Sequence, residues 1–299
     1  MDLFELMMKR RSVRNFEDRP VPADVVDRLL DAANNAPSGG NIQPLSIVVV
    51  QESEARAELA EMVGRQPWVR NAPLSMVFCI DFFRVKRWAA MFDVDFLGEQ
   101  ALSSFLIAYA DVMCAAQNVV MLAENSGLGS VYVGTIQSSI GRAREFFGMP
   151  EYVLPVMVLS LGYPKSVPNT IPKLDRDVVV HRERYRTLSD EQIREVFESK
   201  YGDITDDVDT YLKRAYVEVV EADRQSDMGH VDNAKERMKK LDIKSNAEFL
   251  FNLRYPQRLM VGMNSRLIAS LRKAGFDFPG IGPVSAPGAP PSEASGTSP

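Results

Sequence analysis

Cysteine and histidine are scarce in this chain of 299 residues, which contains only two of each. No Cys-x-x-Cys pair occurs, so a zinc or iron–sulfur site has almost no ligands available. Cys79 and Cys114 each lie inside an apolar run. Such positions favour a small buried side chain over a disulfide or a reactive thiol.

Positive charge is not in excess either, since the formal net charge is −5. This balance disfavours a protein that binds nucleic acid mainly through phosphate contacts. No apolar run approaches the ~20 residues that a membrane-spanning helix needs. The first residues show neither the basic nor the apolar region of a secretory signal. We therefore expect a cytoplasmic protein without a membrane span.

Apolar runs alternate with amphipathic segments over the first 185 residues or so. Four short runs predict buried strands, at 45–50, 74–80, 130–134 and 153–161. Apolar residues at helical spacing predict helices between them, most clearly at 26–33. The segment 67–73 is expected to be a loop, and 82–98 shows no clean periodicity. This alternation predicts an α/β or α+β sheet domain.

One long helix is predicted from about Glu99 to Ser126, where Gly127 ends it. Its second half, from Asp111 to Ala123, is apolar on nearly every side. A helix of that composition is buried all round, either in the core or in a subunit interface.

The pattern changes after Tyr185, because residues 186–280 carry helical periodicity and no strand signal. Apolar residues recur at helical spacing in three segments, at 208–222, 231–241 and 259–271. We expect a helical extension over residues 186–280 and a disordered tail, rich in Pro, Gly, Ser and Ala, over 281–299. A stabilising cap, a dimer clamp, a lid and a docking surface for a redox partner are all compatible with this extension.

Two segments near the start of the chain are candidates for ligand binding. Arg10, Arg11 and Arg14 surround Ser12, and guanidinium groups bind phosphate well. A basic helix end is an equally good interpretation, because cations favour that end. The second segment follows one amphipathic helix and reads Pro-Ser-Gly-Gly-Asn-Ile-Gln-Pro at 37–44. It is either an ordinary turn or a stretch whose glycines let a flat ligand approach the backbone. Together they predict a nucleotide-like cofactor.

The order and spacing of these segments resemble the FMN-dependent nitroreductase family. That family has Arg-Arg-Ser-x-Arg, a short helix, and then Pro-Ser-x-x-Asn-x-Gln-Pro. Three later stretches are also similar, namely 71–81, 111–134 and 161–181. The resemblance covers residues 1 to about 185 and implies an α+β fold, with a mixed sheet flanked by helices, in an obligate homodimer with FMN at its interface. The helical extension is expected to depart from the family core.

The resemblance also implies a cofactor site. Four residues would bind the phosphate, the ribityl chain and one ring edge: Arg10, Arg11, Ser12 and Arg14. Five would line the cofactor from the partner subunit: Pro37, Ser38, Gly39, Asn41 and, less strongly, Gln43. Val133 and Gly134 would place backbone near the reactive ring nitrogen. Lys173 stands where the family has a phosphate-binding Arg, and Arg176 is the alternative anchor.

The implied activity is that of an NAD(P)H-dependent FMN oxidoreductase. NAD(P)H would reduce the flavin by hydride transfer and leave, and a nitroaromatic, a quinone or an activated alkene would then be reduced in its place. Because no Gly-x-Gly-x-x-Gly follows a strand, the nicotinamide is expected to bind only transiently. Reductive dehalogenation, flavin fragmentation and a non-catalytic flavin-binding interaction protein stay open as alternatives.

No side chain stands out as a general acid or a nucleophile, so the flavin would carry the chemistry. Four aromatic residues are candidates for a wall over the flavin: Trp68, Trp88, Phe92 and Phe96. A packed hydrophobic cluster explains them at least as well.

Overall fold

The computed structural model describes residues 2–168, 172–202, 229–241, 243 and 245–280. Its strands are Leu45–Val50 (β1), Leu74–Asp81 (β2), Gly129–Val133 (β3) and Val153–Gly162 (β4). They form one sheet in the order β1-β2-β4-β3, and each neighbouring pair is antiparallel. A parallel pairing is present as an isolated bridge between Ser12 and Ser130, which places the N-terminal segment beside β3. The predicted α+β class is confirmed.

Seven helices accompany this sheet as far as residue 162: Leu3–Lys9 (α1), Ala23–Asn34 (α2), Ser53–Met62 (α3), Pro67–Asn71 (α4), Phe82–Ala90 (α5), Leu102–Asn125 (α6) and Ile140–Phe146 (α7). Short 3-10 turns cover Gly39–Asn41 and Gly134–Ser139.

Helices cover both faces of the sheet, so both faces of its central strands are buried. Along β2 successive side chains alternate between the faces, as in any strand. Phe78 packs in the core formed with α2 and α6, whereas Val77 and Cys79 pack in the core formed with α3, α4 and α7. Burial explains why β2 is apolar at consecutive positions rather than at every second one.

Two of the sequence expectations need correction between β1 and α6. Residues 67–71 form a helix where a loop was expected, because Pro67 occupies the first turn, where its missing N–H costs nothing, and Trp68 and Val69 are buried. Residues 82–90, which had no assignment, are helical as well. The Asp81 carboxylate accepts a hydrogen bond from the Arg84 N–H at 3.1 Å and so begins α5.

The long helix α6 is buried along one side only. Val112, Ala116 and Val119 pack into the core, but Leu106 and Ile107 are exposed in the single chain. In the half expected to be buried all round, 111–123, Cys114 and Gln117 are exposed in the single chain, so the core alone does not bury this half on every side. The burial expected for Cys114 is wrong for one chain. By length and composition α6 is the one helix among the described residues that is long and apolar enough to cross a membrane, and a third of its apolar window is buried inside the protein. A single helix of this kind is weak evidence for a span.

Helices continue after the sheet domain, and the described part of residues 186–280 contains no strand. The helices are Arg176–Val179 (α8), Asp190–Tyr201 (α9), His230–Leu241 (α10), Asn246–Glu248 (α11), which runs on as a π-helical turn over Phe249–Arg254, and Gln257–Lys273 (α12). The helix expected at 208–222 and the tail at 281–299 lie outside the described residues.

The end of α12 is part of the main core. Ala274 and Phe276 are fully buried there, and the Phe276 ring lies 5.7 Å from the ring of Phe82. The Tyr152 N–H donates a hydrogen bond to the Ala274 carbonyl at 2.8 Å. The last described residues therefore stabilise the sheet domain itself.

Candidate functional site

The arginine cluster lies where α1 ends and the chain runs beside β3. The Val13 N–H donates to the Ser130 carbonyl at 3.0 Å, which fixes this segment against the strand. Arg11 Nη1 donates to the carbonyls of Met8 (3.0 Å) and Arg10 (2.8 Å), and these bonds satisfy carbonyls at the end of the helix. Part of the Arg11 side chain is thus used structurally.

Arg14 lies beside α4. Its guanidinium carbon lies 5.5 Å from the centre of the Trp68 ring, within the range of a cation–π contact. Trp68 itself is buried in the core under α4. Its ring therefore serves mainly to position Arg14.

Arg10 lies near two partly buried groups of α6 and β3. Burial raises the pKa of the Glu124 carboxyl, and the positive charges of Arg10 and Arg11 partly offset this rise. Burial likewise raises the pKa of Tyr132 to about 12, again opposed by Arg10. The Arg10 guanidinium forms no hydrogen bond or ion pair with another of the described residues. It is available to an anion.

The segment Ser38–Gln43, which we call the Gly-Gly loop, has an unusual backbone. Gly40, Asn41 and Gln43 all have φ near +55°, at +57°, +54° and +51°. Glycine adopts this region freely and Asn tolerates it, but Gln does so only when surrounding contacts impose it. Inside the loop, the Gln43 N–H donates to Ser38 Oγ at 3.3 Å. Gln43 Nε2 also donates to the carbonyl of Asn34, at the end of α2, at 3.0 Å.

The two glycines of this loop have structural reasons to be glycine. A Cβ on Gly39 would approach Ile107 Cγ2 of α6 to 2.7 Å, and Gly40 has the positive φ given above. The Gly39 N–H donates to both carboxylate oxygens of Asp111, at 3.0 and 3.1 Å. Close packing on α6 is therefore one reason why position 39 is a glycine.

The far end of β3 offers open backbone. Val133 is buried, while Gly134 is exposed and begins the 3-10 turn. A Cβ built on Gly134 would meet only Met157 Cε, at 3.8 Å, so the protein leaves room beside this residue. Gln66 Nε2 donates to Thr135 Oγ1 at 2.9 Å and thereby holds the turn against α3 and α4.

The remaining candidates are divided between core and surface. Lys173 and Arg176 are both exposed, Arg176 as the first residue of α8. The chain leading to them returns to the arginine cluster after β4, where the Lys165 N–H donates to the Asn15 carbonyl at 3.0 Å. Phe96 packs edge-on against Phe82 at 5.2 Å, so it belongs to the core. Trp88 and Phe92 are exposed, at 48% and 80%.

Three charged residues near these segments were not found by sequence reasoning, namely Arg84, Asp111 and Glu124. Arg84 Nη2 donates to the carbonyls of Gln43 (2.7 Å) and Leu45 (2.9 Å) at the end of the Gly-Gly loop. Asp111 and Glu124 are isolated acidic residues in the otherwise apolar α6. A single charge in such a helix is a usable signal, since it must have a specific partner or a functional reason.

The structure is thus that of an α+β protein with a cluster of guanidinium groups beside one strand of its sheet. The model of the nitroreductase family matches residues 7–163, slightly more than half of the 299 residues. An NAD(P)H-dependent FMN reductase of Bacillus subtilis (strain 168) is 32% identical over 187 residues, covering 62% of this chain and 74% of that protein. The chain belongs to the nitroreductase family, and the resemblance drawn from its motifs is confirmed.

Solved structures extend the similarity beyond the family motifs. B. megaterium NfrA2 matches with a TM-score of 0.72 and 26% identity, over 93% of this chain and 99% of that one. The NADPH:FMN oxidoreductase from Vibrio harveyi, complexed with NAD+, matches with a TM-score of 0.61 and 30% identity, over 75% and 97% of the two chains. A match over 93% of the chain continues well past residue 185 into the C-terminal helices. The family model itself ends at residue 163, so the C-terminal helices lie beyond the family core but within the region matched by this solved structure.

Proposed function

We propose that this protein is a homodimeric FMN oxidoreductase that takes its reducing equivalents from NAD(P)H. The observation that carries the proposal is the guanidinium cluster at Arg10–Arg14, fixed beside β3, whose other end is the open backbone of Gly134. Family membership and the names of the relatives support it, since two of them are an FMN reductase and an NADPH:FMN oxidoreductase.

The residues present fit FMN. Its phosphate is a dianion that needs fork-shaped cationic donors, and the guanidinium of Arg10 has no ion pair among the described residues to give up. Its ring is flat and needs backbone that it can approach, which the space beside Gly134 provides. Arg10, Arg11, Ser12 and Arg14 would hold the phosphate, ribityl chain and ring edge, with Lys173 or Arg176 as a further phosphate anchor.

The Gly-Gly loop serves the cofactor of the partner subunit in this proposal, through Ser38, Gly39, Asn41 and Gln43, together with Pro37, which precedes it. Within one chain the loop is fixed to Asp111, whereas Arg10 and Arg11 act on Glu124. These two acidic residues are 13 positions apart on α6, or about 20 Å at the rise of a helix. That separation supports assigning the two segments to the flavins of different subunits.

An exposed apolar surface supports the dimer. Leu106 and Ile107 of α6 are exposed, as are Phe4, Met7 and Met8 of α1, a helix that packs against α6. Exposed apolar side chains on neighbouring helices are typical of an interface. Ile107 also touches the Gly-Gly loop, so the loop borders the same surface.

When bound, FMN supplies hydride transfer from NAD(P)H to a second substrate, in alternation. The chain contributes positioning and charge: Arg14, held over Trp68, keeps a fixed positive charge near the site, where negative charge that develops on the ring is stabilised. Trp88 and Phe92 are exposed and suit contact with a flat acceptor such as a nitroaromatic, a quinone or an activated alkene. Trp68 and Phe96 act as core supports. A cytoplasmic location, where NAD(P)H is available, belongs to the same proposal.

Residues 186–280 act as a stabilising cap in this proposal, because Ala274 and Phe276 at their end are buried in the main core. Docking of a redox partner on the extension is not required for the reaction.

The test is an FMN titration of the wild type, Arg10→Gln and Lys9→Gln, followed by quenching of flavin fluorescence. Removing one charged phosphate contact costs about 1.5–3 kcal/mol, so Arg10→Gln is expected to raise the FMN dissociation constant roughly 10- to 100-fold. Lys9, an exposed neighbour whose Nζ lies 4.0 Å from Glu5, is the control for loss of charge alone. Wild-type protein that binds no FMN would contradict the proposal.

A further inference from the structure

The Gly-Gly loop is held from outside by two charged side chains. At its start the Gly39 N–H donates to both oxygens of Asp111, at 3.0 and 3.1 Å. At its end Arg84 Nη2 donates to the carbonyls of Gln43 and Leu45, at 2.7 and 2.9 Å. The loop therefore has one charge-assisted clamp at each end, and bonds of this kind are stronger than neutral ones.

Arg84 is itself fixed. Its Nη1 donates to Asp81 Oδ2 at 3.2 Å, and the Asp81 side chain is nearly buried. Asp81 also accepts hydrogen bonds from the Arg84 N–H and the Ser46 hydroxyl. A buried carboxylate with these donors keeps the guanidinium in one orientation. The clamp thus acts from a rigid part of the sheet.

The clamps add to hydrogen bonds within the loop, such as that from the Gln43 N–H to Ser38 Oγ, in holding an uncommon backbone conformation. Asn41 and Gln43 are in the left-handed region, at φ +54° and +51°, where side chains other than glycine are rarely found. Such strain persists only where surrounding contacts determine it, and it occurs most often at ligand sites. Two charged clamps on a surface loop with this backbone indicate that the shape of the loop has a functional role, as at a ligand site.

We propose that Arg84 and Asp111 are positioning residues that hold the Gly-Gly loop in the shape required to line the cofactor. The inference rests on the proposed function, because the loop matters only where it meets a flavin. Neither residue has to touch the cofactor. Loss of either clamp is expected to release the loop from its left-handed backbone and to weaken FMN binding without removing a direct contact.

The experiment compares Arg84→Met and Asp111→Ala with the wild type and with a matched control. Arg144→Met is the control, since Arg144 also donates to backbone carbonyls, those of Val153 (3.1 Å) and Pro150 (2.9 Å), at α7. Hydrogen–deuterium exchange of the peptide spanning 37–45 is measured without FMN. The FMN dissociation constant is measured on the same preparations.

Both clamp variants are expected to exchange about tenfold faster over 37–45 and to bind FMN about tenfold more weakly, with Arg144→Met unchanged in both. Asp111→Asn, which keeps an acceptor oxygen, is expected to fall between Asp111→Ala and the wild type. Unchanged exchange would overturn the clamp. Faster exchange with unchanged FMN affinity would overturn its role in cofactor binding while leaving the proposed function intact. Wild-type protein that fails to bind FMN would overturn the proposed function and this inference with it.

Discussion

Substituting Leu106 by Glu is expected to separate the dimer and release the cofactor. Leu106 lies on the outer side of α6 and is 58% exposed in the single chain, so the change leaves the core of each subunit intact. If this side is the interface, each copy loses about 1–2 kcal/mol of apolar burial. Each copy also places a carboxylate in an apolar contact, at a cost of several kcal/mol per charge.

Because a dimer contains two copies, the total is at least about 5 kcal/mol, or three to four orders of magnitude in the dimer dissociation constant. Sedimentation measures the association state, and recovered flavin fluorescence measures release of FMN. Phe146→Glu is the control, since Phe146 is 45% exposed on α7, a helix that packs against β4 and α3.

The variant should be a folded monomer that binds FMN far more weakly than the wild type. A monomer that keeps its flavin tightly would contradict the division of the site between subunits. A variant that stays dimeric at micromolar concentration would show that α6 is not the interface.

Three further predictions follow from the described contacts. Phe276→Ala should lower the unfolding free energy by about 3–5 kcal/mol and the melting temperature by roughly 10 °C, because a fully buried ring is removed. Calorimetry measures this change, with Phe278→Ala, at a half-buried position, as the reference. An unchanged melting temperature would refute the anchoring of the C-terminal segment. Burial, with a smaller effect of Asp81, raises the pKa of Cys79 from 9.0 to about 12. The folded state therefore retains a proton that the unfolded state loses, and stability falls by up to about 1.4 kcal/mol per pH unit between those two values. Cys79→Ala should show a shallower loss of stability than the wild type in denaturation at pH 8 and pH 10, and equal losses would contradict the assignment. Phe92→Ala should raise the KM for a quinone or nitroaromatic several-fold and leave FMN affinity unchanged, and steady-state kinetics with an unchanged KM would remove Phe92 from the acceptor site.

Sequence patterns predicted the strands and most helices, because burial on both faces leaves unmistakable apolar runs at β2 and β4. They failed at α4, a five-residue helix that is too short for periodicity to register. They also failed to assign α5, where charged, aromatic and aliphatic residues are mixed and the start is set by Asp81, a strand residue. Local signals cannot reveal a helix whose first contact comes from tertiary structure.

In the candidate site, too, the sequence predicts the local motif but not the contacts that come from distant parts of the chain. Arg10, Arg11, Ser12 and Arg14 form a local motif, so the sequence alone points to them. The clamps of the Gly-Gly loop come from residues about 40 and 70 positions further along the chain. The sequence around the loop therefore does not predict Arg84 or Asp111 as its partners. The exposure of Cys114 was missed for a related reason, since a helix that is apolar all round does not reveal which side meets its own core.

The central claim, that this chain holds FMN between two subunits and reduces it with NAD(P)H, is tested most directly by the visible spectrum of the purified protein under anaerobic titration with each nicotinamide. The account predicts a yellow dimer with one FMN per subunit whose flavin absorbance bleaches on addition of NADH or NADPH and returns on addition of a quinone. Protein that is colourless and stays so after incubation with FMN and dialysis would contradict the account.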